Sequence, residues 1–285
     1  YTGAYQKPAP YFGHKAAFIN HLELMEMWME EKLPWRLLNA KYLVEAFEWL
    51  HSWPGMGDFN TYQLVLNLSY TNLLNFHRND FVIPGLGAVS GLTKMFGASY
   101  TRAVAKDKDF GIKVIRWLVE HQDEQFARLG LGFSGLGADK LPMDVSDVEH
   151  AICEVDKFSR LVHPHIKGTS KSTQCGRLYR GSTGSRPPYQ PVLPRAWSHP
   201  DRATPRIREG PVDNSKESKR YVVNYFGAHR TVMRDGQEDL EFRVFWLGYP
   251  DSDATWERAE ALNLDCPDMV DEYLKAHGLA LGGSR

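Results

Sequence analysis

An acid, a thiol and an amine lie at helical spacing in one stretch of the sequence. Glu149, Cys153 and Lys157 occupy positions i, i+4 and i+8 of DVEHAICEVDKFSR, so a helix would place them on one stripe beside its apolar face. In that arrangement they could transfer protons near a bound nucleobase. They could equally be a capping glutamate, a small buried cysteine and a solvated lysine. The residue types leave both interpretations open.

A second group that could meet a base follows the first of two glycine turns. Gln63 and its neighbour Tyr62 lie on a predicted helix that begins after WPGMGD. An amide can hydrogen-bond the edge of a flipped base, and an aromatic ring can stack on its face. Core packing explains Tyr62 as well.

Two Pro-Gly-x-Gly turns, WPGMGD at 53–58 and IPGLGA at 83–88, each lead into an amphipathic segment. Glycine lets the backbone approach a phosphate, and a helix N-terminus favours an anion. A tight connection between helices would use the same glycines. Asp58 follows the first turn directly and argues against an anion there. The residues predicted to contact DNA phosphate at the second turn are Gly85, Gly87, Gly91 and Lys94.

The elements that would position these groups are helices, because apolar residues recur at helical spacing throughout residues 1–167. Asp58 is a predicted N-cap, and Ser146 with Glu149 is a predicted capping box. The predicted helices cover 16–53 with a break near Leu33-Pro34, 58–70, a segment after Gly87, 108–129, and 146 to about 162.

Helical periodicity ends at Gly168. Residues 168–220 carry 11 Lys and Arg against 4 Asp and Glu, and Gly, Ser and Pro are frequent. This composition predicts a disordered basic linker over 168–218. The linker could be a solvated tether, or it could bind DNA without sequence preference by releasing counterions.

The residue pattern changes again after Lys219, where apolar and polar residues alternate on both sides of RDGQED. Asp235-Gly236 between two β-rich runs predicts a hairpin. A short third strand around residues 254–257 and a final helix complete a small unit that is acidic, with 12 Asp and Glu against 5 Lys and Arg over 221–278.

This C-terminal unit resembles the chromodomain over its whole length, through YVV, FRVFWLGYPDSDATWE and DCPDMVDEYLKAH. The resemblance implies an open aromatic cage for a methylated histone lysine, formed by Tyr221, Trp246 and Tyr249, with Asp253 adding negative charge at its rim. Aromatic faces attract a trimethylammonium because it keeps its charge but cannot donate a hydrogen bond. The sequence departs from the family at Ala261, where a polar residue is usual, and at Asn263 and Leu264, which are inserted.

Residues 3–165 resemble the helical domain of 5-hydroxymethyluracil DNA kinases and of α-glutamyl/putrescinyl-thymine pyrophosphorylases. These proteins resemble helical DNA glycosylases and belong to pathways that hypermodify thymine in DNA. The resemblance therefore implies a role in such a pathway. Asn67 stands where an Asp is usual and Leu86 where a Pro is common, and loss of an acid would leave a binder without chemistry. The residues that carry the resemblance are Gly57, Phe59, Tyr62, Gln63, Leu68, Pro84, Gly85, Gly87, Gly91, Asp147, Glu149, Cys153, Glu154 and Lys157.

Composition excludes several classes. The chain has 285 residues, 42% of them apolar and 24% charged, which allows two folded units. Its three cysteines are far apart and have no partners at metal-ligand spacing, so neither a disulfide framework nor a zinc site is predicted. No cofactor is predicted. No apolar run reaches 18 residues, so no contact with a membrane is expected. The GxxxxGK[ST] phosphate loop of a P-loop kinase does not occur in the sequence.

Together these features predict a mainly α domain of the helix-hairpin-helix, DNA glycosylase-like type, followed by a small α+β chromodomain. The predicted boundaries are 1–167 for the helical domain, 168–218 for the linker, 219–279 for the chromodomain and 280–285 for a tail. The predicted function is a chromatin adaptor that couples a DNA-engaging helical domain of the thymine-hypermodification type to a reader of methyl-lysine on histone tails. The predicted partners are DNA and a methylated histone tail, in a nucleus. One alternative is an active transferase or lyase that uses Gln63, Glu149, Cys153 and Lys157 on a modified thymine. Another is a retroelement-derived chromodomain protein, although the paired acids of an integrase core are not evident.

Overall fold

The computed structural model describes residues 9–137, 139–170, 194–234 and 236–281. They form two compact units. One contains the described residues up to Leu33, Ser52–Met56 and those from Ser215 onward, and the other contains Pro34–His51 and the described part of Gly57–Asn214. This division differs from the predicted one, in which residues 1–167 form a single domain.

α-Helices are the main secondary structure in the described part of the first 170 residues. The break predicted near Leu33-Pro34 is present, because Lys32 has a φ of +60° after α1 and Pro34 occupies the first turn of α2, where its missing N–H costs nothing. The helices are α1 (Ala17–Glu30), α2 (Leu33–Leu38), α3 (Leu43–His51), α4 (Asp58–Leu68), α5 (Leu86–Phe96), α6 (Ala98–Lys106), α7 (Phe110–Glu120), α8 (Gln122–Arg128) and α9 (Val145–Val162).

Some helix boundaries differ from the prediction. Gly57, not Asp58, is the N-cap of α4, and the Asp58 carboxylate lies 3.1 Å from His51 Nε2. The capping box of α9 is formed by Asp144 and Asp147 rather than by Ser146 and Glu149. Asp144 Oδ1 accepts hydrogen bonds from the amides of Ser146 and Asp147, and Asp147 Oδ2 accepts one from the Asp144 amide at 3.0 Å. Glu149 is therefore not needed at the cap.

The core of the helical unit lies between α3, α4, α5, α7 and α9. Helices α5 and α9 pack closely along most of their length. The side chains that are almost fully buried there include Phe47, Leu50, Tyr62, Val65, Leu74, Val82, Leu92, Ile115 and Val145.

Residues 194–214, here called the strap, lie against the helical unit, which corrects the prediction of disorder for this part of the linker. The strap contains two short 3-10 turns, Arg195–Ser198 and Pro200–Arg202. Trp197 stacks on Tyr70 with ring centroids 5.8 Å apart. Residues 171–193 of the predicted linker lie outside the described residues.

Arginines hold the strap in place. Arg202 is buried and donates to the carbonyls of Thr71 and Leu74 at 2.9 and 2.7 Å. The two ends of the Arg208 guanidinium contact the two carboxylate oxygens of Glu48. Backbone carbonyls left unpaired by a loop need donors when they are buried. These cations are consequently committed within the protein, which the charge count could not reveal.

The other unit contains α1, a three-stranded antiparallel sheet of order β1-β2-β3 and two C-terminal α-helices. The elements after residue 214 are β1 (Val223–Arg234), β2 (Gln237–Trp246), β3 (Thr255–Arg258), α10 (Ala259–Asp265) and α11 (Pro267–His277). The predicted strands and C-terminal helix are confirmed. The β1–β2 turn includes Gly236 at a φ of +81°, whereas Asp235 lies outside the described residues. The core of the sheet and helices consists of Phe226, Phe242, Val244, Ala259, Leu262, Val270 and Leu274.

Candidate functional site

A glutamate side chain of the protein already occupies the second glycine turn. Glu149 is 4% exposed, and its Oε1 accepts a hydrogen bond of 2.9 Å from the Gly85 amide, at the N-terminus of α5. A helix N-terminus stabilises a negative charge, and here α9 supplies that charge from inside the protein. Burial raises the pKa of Glu149, and the Gly85 hydrogen bond opposes that shift. Glu149 thus occupies the place that the sequence suggested for a phosphate.

The glycines of α5 serve close helix packing. A Cβ at Gly87 would lie 2.3 Å from Cys153 Sγ, and a Cβ at Gly91 would lie 2.4 Å from the Ile152 carbonyl oxygen. Neither distance is possible for a real side chain, so α9 could not approach α5 this closely with any other residue there. The predicted phosphate contacts of Gly85, Gly87 and Gly91 are therefore not supported by their positions.

Lys94 faces the interior rather than solvent. Its side chain is 7% exposed, and its Nζ lies 3.0 Å from Asp156 Oδ1 and 2.8 Å from the Asp156 carbonyl oxygen. Lys94 is thus paired with an acid of the protein, whereas the sequence predicted a contact with DNA. Its neighbours in sequence give no sign of an acid on another helix. Ser90 Oγ donates to the same carboxylate at 2.7 Å, and Arg160 contacts its other oxygen.

Burial alone would raise the pKa of Asp156, but hydrogen bonds from Ser90, Lys94 and Arg160 hold it below its ordinary value of 3.8. We call Ser90, Lys94, Asp156 and Arg160 the buried ion cluster. It connects α5 with α9 and carries one acid between two cations. The cluster is a structural feature of the helix pair.

The acid, thiol and amine of α9 contact different partners. Glu149 bonds to Gly85, Cys153 faces Gly87, and Lys157 pairs with Glu154 at the surface. Burial raises the pKa of the Cys153 thiol, whereas a cysteine nucleophile needs a lowered one. These three predicted catalytic residues share a helix but do not face one substrate.

Gln63 and Tyr62 lie below the surface. Tyr62 is 2% exposed and packs edge-on against Phe81 with ring centroids 6.0 Å apart. Gln63 is buried, and its Nε2 lies 3.4 Å from His150 Nε2. Stacking of Tyr62 on a flipped base would require the core to open, so the packing interpretation fits its position.

The three aromatic residues predicted to form a cage do come together in the other unit. Tyr221 stacks on Tyr249 with ring centroids 4.8 Å apart and meets Trp246 edge-on at 5.4 Å. The register of the β1–β2 ladder explains this proximity, since Val223 lies opposite Trp246. Tyr221 remains 45% exposed. The result is an aromatic cluster at the surface end of the sheet.

Hydrogen bonds orient two of these rings. Trp246 Nε1 donates to Thr255 Oγ1 at 3.0 Å, and Thr255 Oγ1 donates to Glu257 Oε1 at 2.6 Å. The Tyr249 hydroxyl donates to the Arg220 carbonyl at 3.0 Å. Burial, with the nearby Tyr221 and Asp253, raises the pKa of Tyr249 to about 12. Tyr249 is therefore neutral, and its face is electron-rich toward a cation.

Asp253 lies close enough to Tyr249 to contribute to the raised pKa of that residue. It ends the short 3-10 turn Asp251–Asp253 and is exposed together with Asp251. Exposed carboxylates beside aromatic faces favour a positively charged group. Glu241, by contrast, is buried and engaged by Arg230 and Arg234, so it does not contribute to this surface.

Comparison with protein families finds the two families that the sequence resembles, in the predicted order along the chain. Residues 1–168 match the family described as 5-hmdU DNA kinase, helical domain. The chain belongs to this family. Residues 221–276 match the chromo (chromatin organisation modifier) domain, which contains the aromatic cluster. A comparison with solved structures finds no match.

The helical-domain match ends before the strap, yet the strap packs on the helices that the match includes. It also closes one side of a cavity of about 220 Å³ that the sequence did not indicate. The cavity mixes apolar and charged groups. Its lining residues are Val44, Asp80, Phe81, Asp109, Ile112, Lys113, Arg116, Ile207, Arg208, Gly210 and Val212.

Within the part of the chain that the structure describes, no three His, Cys, Asp or Glu side chains are grouped so that they could hold a metal ion. None of the helices described above is both long and apolar enough to cross a membrane.

Proposed function

We propose that this protein is a chromatin adaptor whose chromodomain reads methyl-lysine on histone tails in the nucleus. The observation that carries the proposal is the convergence of Tyr221, Trp246 and Tyr249 at one exposed corner of the sheet. A methylammonium would gain cation–π contacts with these faces, and Asp253 would add attraction at the rim. Because Tyr221 touches Tyr249, the ligand must displace one ring to enter.

Isothermal titration calorimetry on the full chain tests this proposal. The probes are histone-tail peptides that each carry one trimethyl-lysine, together with the same peptides unmethylated. We expect micromolar binding of at least one methylated peptide and binding about tenfold weaker, or more, without the methyl groups. Equal affinity for every matched pair would contradict methyl-lysine reading.

The adaptor explains the helical domain better than an enzyme does. A transferase or lyase would need Glu149, Cys153 and Lys157 around one reactive atom, whereas each of them has a separate partner within the protein. The buried contacts of Glu149 and Cys153 support a role in holding α5 against α9.

DNA engagement is the second part of the proposal, supported by the helical-domain family. Lys94 is buried, so the candidate contacts with DNA phosphate are now Arg102, Lys106 and Lys108. These three residues are exposed on α6 and just after it. We expect Arg102→Glu with Lys106→Glu to weaken DNA binding and to reduce the salt slope by about two, because each lost phosphate contact removes about 0.9. Arg128→Glu, an exposed charge reversal on α8, is the control. If the double variant and the control have the same slope, this surface does not bind DNA.

A further inference from the structure

We infer that the N-terminal segment and the first glycine turn hold the methyl-lysine cage in position, with Arg220 as the positioning residue. This inference rests on the proposed reader function and adds its regulation by residues outside the chromodomain. The residues involved are 10–12, Glu31 and 52–56, which the family comparison assigns to the helical domain. All of them belong to the same compact unit as the sheet.

Arg220, immediately before the cage residue Tyr221, is bound to the first turn on several sides. Its amide donates to the Ser52 carbonyl at 2.7 Å, and its Nε donates to Ser52 Oγ at 3.2 Å. Its guanidinium lies 4.9 Å from the centre of the Trp53 ring and 3.5 Å from the Glu31 carboxylate. The neighbouring Lys219 donates from Nζ to the Met56 carbonyl at 2.7 Å. The backbone that leads into the cage is thereby anchored.

The anchor reaches two walls of the cage. The Arg220 carbonyl accepts the hydroxyl hydrogen bond of Tyr249, and the next residue in the chain is Tyr221. The positions of both tyrosines consequently depend on Arg220. A shift of Arg220 would move Tyr221 directly and would remove the group that orients Tyr249.

The turn that carries Tyr249 rests on the same N-terminal residues. Gly248 forms an antiparallel bridge with Tyr11 and has a φ of +81°. A Cβ at Gly248 would lie 2.7 Å from Phe12 Cε1 and 2.7 Å from Pro54 Cβ. Glycine is required here for its backbone conformation and for this close approach. The N-terminal segment and the first turn therefore buttress the cage from behind.

A short peptide that carries a cation binds tightly only when the aromatic faces that receive it are preorganised. When Arg220 is fixed, the backbone at Tyr221 and the Tyr249 side chain are already ordered, so the ligand needs only to turn the exposed Tyr221 ring aside. When Arg220 is released, the ligand must also order these groups, and affinity falls. The first Pro-Gly turn thus serves the histone reader, although its sequence resembles a phosphate-binding turn.

The test compares Arg220→Ala with wild type in the full chain. We expect affinity for the trimethyl-lysine peptide to fall about fivefold, the combined size of one exposed cation–π contact and one surface ion pair. Lys216→Ala, an exposed cation four residues earlier, should leave affinity unchanged. Glu31→Gln should weaken binding in the same direction but less, and it serves if Arg220→Ala impairs folding.

Hydrogen exchange supplies a readout that a general loss of stability would not give. In Arg220→Ala the amides of residues 220–222 and 247–249 should lose protection, while those paired between β2 and β3 keep it. Wild-type protein that binds without regard to methylation would refute the reader itself. A reader that selects methylated peptide in wild type and binds it equally in Arg220→Ala and Glu31→Gln would refute only the positioning role.

Discussion

Replacing Asp156 by alanine should lower the free energy of unfolding of the helical unit by about 3–5 kcal/mol, because the change leaves buried cations without their counter-charge. Lys94 and Arg160 both contact the Asp156 carboxylate, whose residue has no exposed surface. Urea unfolding followed by helical circular dichroism measures the effect. A loss below about 1 kcal/mol would contradict the buried ion cluster.

Two controls separate this effect from charge removal in general. Glu154→Ala lies on the same helix and removes only a surface pair with Lys157, so a loss of about 0–1 kcal/mol is expected. Asp156→Leu combined with Lys94→Met and Arg160→Met should recover much of the stability, since apolar residues of similar volume often replace buried ions without loss.

The same cluster predicts acid sensitivity. The pKa of Asp156 is lower in the folded protein than its ordinary value of 3.8, because the surrounding hydrogen bonds outweigh burial. Its contribution to stability is complete above that ordinary value and is lost as pH falls through the lowered one. Asp156→Asn should therefore flatten the acid limb of the stability curve.

Trp246→Ala is expected to reduce affinity for a trimethyl-lysine peptide by about tenfold or more, because it removes one full aromatic face from the cage. The loss should appear in calorimetry with the full chain. Trp246→Phe retains a smaller face and should lose less. Tyr225→Ala is the control, since Tyr225 is as exposed as Tyr221 but stacks on Phe245 outside the cluster.

Unfolding of the sheet in Trp246→Ala would give the same loss of binding for another reason. Trp246 packs partly against the hydrophobic core, so the β-sheet signal must be measured beside affinity. If affinity stays within twofold of wild type while the sheet remains folded, the cage does not bind the methylammonium.

The aromatic cluster could be predicted from sequence because its positions depend on local strand pairing. Tyr221, Trp246 and Tyr249 belong to one hairpin, and the spacing of the hairpin residues determines which side chains meet. Resemblance to the chromodomain assigned their role. Periodicity likewise predicted α4, α5 and α9 with only small errors at their ends.

The role of the second turn could not be predicted in the same way. Glycines that admit a phosphate and glycines that admit another helix have the same local pattern. Only the approach of α9 shows that Cys153 and Ile152 fill the space beside Gly87 and Gly91. Lys94 is predicted from sequence to contact DNA because nothing near it in sequence indicates Asp156, 62 residues later.

The strap was missed because composition describes a segment without its partners. Gly, Pro and Arg make residues 194–214 resemble a solvated tether. Arg202 and Arg208 become ordered through carbonyl and carboxylate groups that lie more than 120 residues away in the chain. No local pattern encodes such pairings.

Contacts between residues far apart in sequence can form only late in synthesis. The Leu74 carbonyl accepts its hydrogen bond from Arg202, which the ribosome adds 128 residues later, and the Glu48 carboxylate pairs with Arg208, which is added 160 residues later. At about 5–20 residues per second, the nascent helical unit spends on the order of ten seconds without its last segment. During that interval the polar groups that the strap later pairs face water or a chaperone. The helical unit can therefore reach its final form only after most of the chain has left the ribosome.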